Sequence, residues 1–200
     1  MIKAIIFDCG GVIVKNPAQD FVDYFSGVMK VSQSDFERCF SRYLDDFEKG
    51  LTTEDVFWQN ICRDLKIHPP SIPSLWQKAV ARLIREDEET VNIIARLKRN
   101  GYRTGLLTNT EKPTAEYLKK LPFFQMIDSA VFSCFEGVTK PDKKIFLLAA
   151  ERLKTKPYEC LFVDDKQKYV EASRAAGLQA VLFTDIKNLI RDFRLLRLNT

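Results

Sequence analysis

Histidine is almost missing from this chain: His68 is the single one among 200 residues. It precedes Pro69-Pro70 in a loop-like stretch, where a structural or solvated role is expected rather than a catalytic one. No apolar run approaches the ~18 residues of a membrane-spanning helix, so no membrane span is expected. The N-terminus lacks the shape of a signal peptide, because Met1-Ile2-Lys3 leads straight into a strand-like run. The five cysteines (Cys9, Cys39, Cys62, Cys134 and Cys160) show no metal-type spacing. Scattered, odd-numbered thiols of this kind are expected to be reduced, in a cytoplasmic compartment. There is no internal repeat and no low-complexity tract. Nor is there a charged tract, although the net charge is +4. The basic residues Arg191, Arg194 and Arg197 alternate with Phe193, Leu195, Leu196 and Leu198, which predicts an amphipathic terminal helix packed on the core and no nucleic-acid patch.

What is present is an ordinary globular composition, 46% hydrophobic, in a length that suits one core domain with a modest insertion. Apolar runs recur at wide spacing: Ala4–Phe7, 104–107, 130–132, 160–163 and 180–183. Helical patterns separate the later ones. Acidic Glu86-Asp87-Glu88-Glu89 opens a helix carrying Val91, Ile94 and Leu97, and Asn100-Gly101 closes it. A second helix carries Ile145, Phe146 and Ala149, with Pro141 in its first turn. A third runs from about Gln167 to Ala176 and ends at Gly177. Strands alternating with helices predict an α/β fold, a three-layer Rossmann-like parallel sheet. Residues 17–85 break the alternation. They hold amphipathic helical stretches around Phe21, Tyr24 and Phe25, around Phe36, Phe40 and Tyr43, and around Val56, Phe57 and Ile61. Thr52/Thr53 stands before one of them as an N-cap, and Pro69-Pro70 and Pro73 form an internal loop. The expected organisation is a core of 1–16 and 86–200 with a small inserted helical cap, 17–85.

Four chemical signals fall at the ends of predicted core strands. Asp8 follows Ala4–Phe7 and precedes Cys9-Gly10-Gly11-Val12, where two glycines let backbone amides approach an anion closely. A carboxylate there suits a nucleophile facing a phosphoryl group. Thr108 and Asn109 follow the second strand and offer hydroxyl and amide donors. Lys140, in Gly137-Val138-Thr139-Lys140-Pro141-Asp142, offers an ammonium that would neutralise both the nucleophile and a phosphate. Asp164-Asp165 ends the fourth strand. Adjacent buried carboxylates need a cation, and oxygen ligands suit Mg²⁺.

In this order the four signals resemble the motifs of the haloacid dehalogenase superfamily. Phe47-Glu48-Lys49-Gly50-Leu51-Thr52 and the stretch 133–146 are similar to its dehalogenase- and phosphatase-type branch. The resemblance implies a Mg²⁺-dependent phosphatase of a small phosphomonoester, such as a sugar phosphate, with Asp8 forming an aspartyl-phosphate. It implies Mg²⁺ held by Asp8, the backbone carbonyl of Gly10 and Asp165, with Asp164 in a secondary position. Thr108, Asn109, Lys140 and the amides near Gly10 and Gly11 would bind phosphate.

Two positions depart from the family pattern. The first motif is usually Asp-x-Asp, and here the second Asp, the general acid/base, is Gly10. Neighbouring Cys9 is a poor substitute, since in a strand its side chain points away from that of residue 8. Tyr169 stands where the family carries Asn or Asp. Both departures keep a second expectation open, a catalytically impaired binding or regulatory relative. A third is a metal-independent dehalogenase, which also lacks the second Asp, and against which the Asp164-Asp165 pair stands. Arg38 and Arg42 are the cap residues proposed to contact substrate.

Overall fold

The computed structural model describes residues 1–69 and 71–199. Pro70, half of the expected Pro69-Pro70 loop element, lies outside the described residues. In chain order the elements are β1 (Ala4–Phe7), α1 (Ala18–Met29), α2 (Gln33–Glu48), α3 (Glu54–Leu65), α4 (Leu75–Leu83), α5 (Glu88–Arg99) and β2 (Arg103–Thr108). They continue with α6 (Lys112–Leu118), β3 (Ser129–Phe132), α7 (Ser133–Glu136), α8 (Lys143–Arg152), β4 (Cys160–Asp164), α9 (Gln167–Ala175), β5 (Gln179–Leu182) and α10 (Ile186–Leu195). Short 3₁₀ turns precede β3 and β4.

All five expected strands form, and all pair in parallel in the order β3-β2-β1-β4-β5. Ala4–Phe7 is buried throughout, as a central strand covered on both faces must be. Ile5 pairs with Thr104 on one side and Leu161 on the other. The chain steps from β1 outward through β2 and β3, then crosses back to β4 and β5. The strand order therefore reverses at β1, and ligands of open parallel sheets bind outside the carboxyl ends of the strands at such a point. Asp8 extends β1 at that end, its N–H donating to Val163 O at 2.9 Å.

Local signals set the helix ends. The Asp87 side chain caps α5 by accepting from Thr90 N–H, and Thr53, not Thr52, caps α3 through Val56 N–H. Gly101 and Gly177 adopt positive φ just beyond α5 and α9. Pro141 departs from expectation: α8 starts at Lys143 with Asp142 as N-cap, so Pro141 precedes the helix, after a cis Lys140–Pro141 bond. The terminal helix packs through Leu189 and Phe193, while Arg191 and Arg194 face solvent. Leu195 is exposed, and Arg197 and Leu198 lie beyond the helix.

Between β1 and α5, among the described residues, the named elements are the helices α1–α4, with isolated bridges joining Val14 to Gly10 and Glu86. The entry and exit of this segment run side by side: Lys15 N–H donates to Arg85 O, and Asp87 N–H donates to Ile13 O. The helices close on an aromatic cluster centred on Trp76, which stacks on Phe40 and meets Phe25 and Phe47. This cluster is continuous with the apolar layer on one face of the sheet, so the helical segment is seated on the core. Among the described residues no helix is long and apolar enough to cross a membrane. The five cysteines are free and buried.

Candidate active site

Lys140 organises the site. Its Nζ donates to Asp8 Oδ1 at 2.7 Å and to Asp164 Oδ2 at 2.6 Å, and the three side chains are 1%, 8% and 0% exposed. Burial acts to lower the Lys140 pKa, but the two carboxylates outweigh it and hold it above the ordinary lysine value. Lys140 Nζ also lies 4.8 Å from the Tyr169 ring centroid and 5.3 Å from that of Phe162. Tyr169, the apparent defect in the fourth motif, thus supplies a π face to a buried cation. Asn109 holds the Lys140 backbone on both sides, its Oδ1 accepting from Lys140 N–H and its Nδ2 donating to Lys140 O. The expected phosphate donor is first of all a clamp on the lysine, and one amide N–H is spent on it.

The carboxylates of Asp8, Asp164 and Asp165 bring one oxygen each within 4.8 Å of one another. Burial pushes Asp164 up to about 6 and raises Asp165 as well, with the charge of Asp8 adding to both. Three carboxylates against one buried ammonium leave an excess of two negative charges. Asp164 spends its oxygens on Lys140 and on Lys166 N–H. Asp165 Oδ1 is buried with no partner among the described residues. An orphaned carboxylate oxygen beside two further carboxylates fits a divalent cation bound through oxygen.

The turn after Asp8 is wound around Cys9 O, which accepts from Val12, Ile13 and Val14 N–H. Gly11 N–H is taken by Val14 O at 2.7 Å, so this amide, expected among the phosphate donors, closes the turn instead. Gly11 is required for another reason: its φ is +87°, and a Cβ there would overlap Asp165 Oδ2. Gly10 differs. Neither its N–H nor its C=O is paired among the described residues, and an added Cβ would meet nothing within 4 Å. Burial pushes the Cys9 thiol far up, which disqualifies it as the missing acid/base.

A cavity of about 330 Å³ opens over this cluster. Asp8, Gly10, Thr108, Asn109, Lys140 and Tyr169 form its floor, and Phe21, Val22, Phe40, Leu44, Trp76 and Ile84 its wall. On α2 the residues facing it are Glu37, Phe40, Ser41, Leu44 and Glu48, one helical stripe. Arg38 and Arg42, the expected substrate contacts, lie off that stripe. They are exposed and paired with Asp35 and Asp64, so that expectation is overturned. His68 is exposed and does not line this cavity.

Two glutamates of the cavity were not singled out as site residues from the sequence. Burial pushes Glu48 up to about 7, and burial together with the charge of Glu48 pushes Glu111 up to about 8. Thr114 Oγ1 accepts from Trp76 Nε1 and donates to Glu111, joining the helical segment to the core. Glu48 ends α2 and Glu111 precedes α6; a carboxyl at a helix end carries no signal of its own burial, so neither is marked by local pattern. A wider depression beside β5 and α10, lined by Arg174, Arg191 and Asp192, contains none of the four motifs.

The chain is similar to several known proteins. It is 27% identical over 186 residues to the sesquiterpene phosphatase astK of Aspergillus oryzae, covering 92% of this chain and 90% of that protein. It is 24% identical over 200 residues to the glyceraldehyde 3-phosphate phosphatase of Pyrococcus furiosus, covering 91% and 80% respectively. A HAD family enzyme from Bacteroides thetaiotaomicron, solved in complex with magnesium and inorganic phosphate, superposes with a TM-score of 0.73 at 18% identity, covering 91% and 94%. The family of haloacid dehalogenase-like hydrolases matches residues 2–177, and the chain belongs to that family.

Proposed function

We propose that the protein is a phosphatase that hydrolyses a small phosphomonoester, such as a sugar phosphate, with Mg²⁺ as cofactor. The observation that carries this reading is the buried group of Asp8, Asp164, Asp165 and Lys140 at the switch point of the sheet, with one carboxylate oxygen left without a partner among the described residues. In this reading Asp8 attacks phosphorus and forms an aspartyl-phosphate as the bond to the leaving oxygen breaks; water then hydrolyses it. Lys140 neutralises the phosphoryl oxygens, and Thr108 and the unpaired Gly10 amide donate to them. Asp8, Asp165 and the Gly10 carbonyl would hold the metal, with Asp164 behind them; when bound, it supplies Lewis-acid polarisation of a phosphoryl oxygen. The helices over the cavity exclude water and contact the organic part of the substrate.

Similarity to the glyceraldehyde 3-phosphate phosphatase supports a small phosphorylated carbohydrate. The aromatic and aliphatic wall of the cavity favours a second reading, a phosphate ester with an apolar alcohol portion, to which the similarity to a sesquiterpene phosphatase adds. The test is phosphate release from a panel of sugar and prenyl monophosphates, with Mg²⁺ and with chelator, beside an Asp8→Asn control. Turnover that needs Mg²⁺ and vanishes in the control supports the reading. Absence of turnover by folded protein across the panel overturns it in favour of a binding role, and metal-independent turnover of a haloacid would favour the dehalogenase alternative.

A further inference from the structure

Gly10 leaves the site without the side chain that normally protonates the leaving oxygen, and the space it vacates is open on the cavity side. Glu48 faces the same cavity from the last turn of α2. Its position is set by its backbone. Ser133 Oγ donates to Glu48 O at 2.6 Å, and the positive-φ Gly50 that follows packs without a Cβ against Cys134 O. Asp45, one turn earlier, approaches Thr139 Oγ1 at 3.4 Å. The end of α2 is thus fastened to the segment that carries Lys140. The Glu48 carboxyl itself takes no hydrogen bond or ion pair from any described residue. A carboxyl held by its main chain at a cavity wall, with its own oxygens uncommitted, is available to a ligand.

We propose that Glu48 is the proton donor and acceptor of this enzyme, taking from the cap side the place that residue 10 does not fill. The proposal rests on the phosphatase reading above. As Asp8 attacks phosphorus and the bond to the leaving oxygen breaks, the Glu48 proton passes to that oxygen and the alcohol departs. Water then attacks the aspartyl-phosphate; Glu48 takes its proton, the Asp8–phosphorus bond breaks, and inorganic phosphate leaves with Glu48 protonated again. The surroundings suit both directions. Lys166 and Tyr169 face Glu48 from the start of α9, Lys140 from the loop before α8, Asp8 from the end of β1, Glu111 from the start of α6, and Asp45 from its own helix. Burial pushes it up to about 7 against the pull of Lys166, so both protonation states are populated near neutral pH.

Leaving-group dependence separates this role from a structural one. Glu48→Gln should cut steady-state turnover of alkyl phosphates by about 10²-fold or more. With p-nitrophenyl phosphate, whose leaving group needs no proton, the first turnover should keep its wild-type rate. The steady state should then fall, with one equivalent of nitrophenol released in a burst and phosphate retained on Asp8. Gly10→Asp in the Glu48→Gln background should restore part of the alkyl turnover, which also guards against a folding defect in the single variant. Glu48→Gln within twofold of wild type on every substrate, or an equal loss in burst and steady state with no rescue, overturns the proposal while leaving the phosphatase reading intact. A folded wild type that hydrolyses nothing overturns both.

Discussion

Replacing Lys140 with Met tests whether Asp8, Lys140 and Asp164 form one electrostatic unit. The ammonium lies 2.7 Å and 2.6 Å from two carboxylate oxygens, and all three side chains are almost wholly buried. Removing one partner of such a buried group leaves uncompensated charge and typically costs about 3–5 kcal/mol. Here two carboxylates lose the same cation, so the upper end of that range is expected at pH 7 with chelator present. The Met side chain matches the length of the lysine stem and packs against Phe162 and Tyr169, which limits the cavity contribution. The deficit should shrink at pH 5, because the stranded carboxylates relieve themselves by binding protons. Mg²⁺ should also stabilise Lys140→Met more than wild type, since it compensates the same charges. Urea denaturation at both pH values, with and without Mg²⁺, reads all three effects. A loss under about 1 kcal/mol, or an equal loss at pH 5 and pH 7, would refute the reasoning.

The two adjacent glycines should respond in opposite ways. Gly11→Ala forces a side chain into a positive-φ position against Asp165 and should cost about 2 kcal/mol or more; Gly10→Ala, with open space around it, should shift the thermal midpoint by little, and scanning calorimetry compares them. Mg²⁺ should raise the midpoint of the wild type in a concentration-dependent way, and Asp165→Asn should remove most of that rise; an unchanged rise would show that Asp165 Oδ1 does not meet the metal. Glu111, buried and raised from the ordinary range to about 8, binds a proton more tightly in the folded than the unfolded chain. Its stabilising contribution is therefore complete below about pH 4.5 and is lost as pH rises towards 8. Glu111→Gln should flatten that decline, seen as a smaller fall in melting temperature between pH 5 and 8.5 than wild type shows.

The strands, their parallel order of chemistry and the four motif positions were legible in the sequence because each depends on local pattern. A buried strand must be an apolar run, and a residue just past its end sits at the sheet edge whatever the rest of the chain does. The positions of Asp8, Asp164, Asp165 and Lys140 and the glycine turn could be located on that basis, as could the Thr53 cap and the helical nature of residues 17–85, whereas the start of α8 could not. Which side chains meet was decided only by the tertiary structure. Lys140 reaches Asp8 across 132 positions of sequence, and no local period encodes such a meeting. Asn109 becomes a clamp and Tyr169 a π face because of what the fold lays beside them. Arg38 and Arg42 have the charge for phosphate, but α2 turns its Phe40–Leu44–Glu48 stripe to the cavity and leaves those arginines in water. Helical periodicity marks a buried stripe without saying what lies opposite it. The uncommitted Glu48 emerges only once that stripe is docked over the nucleophile.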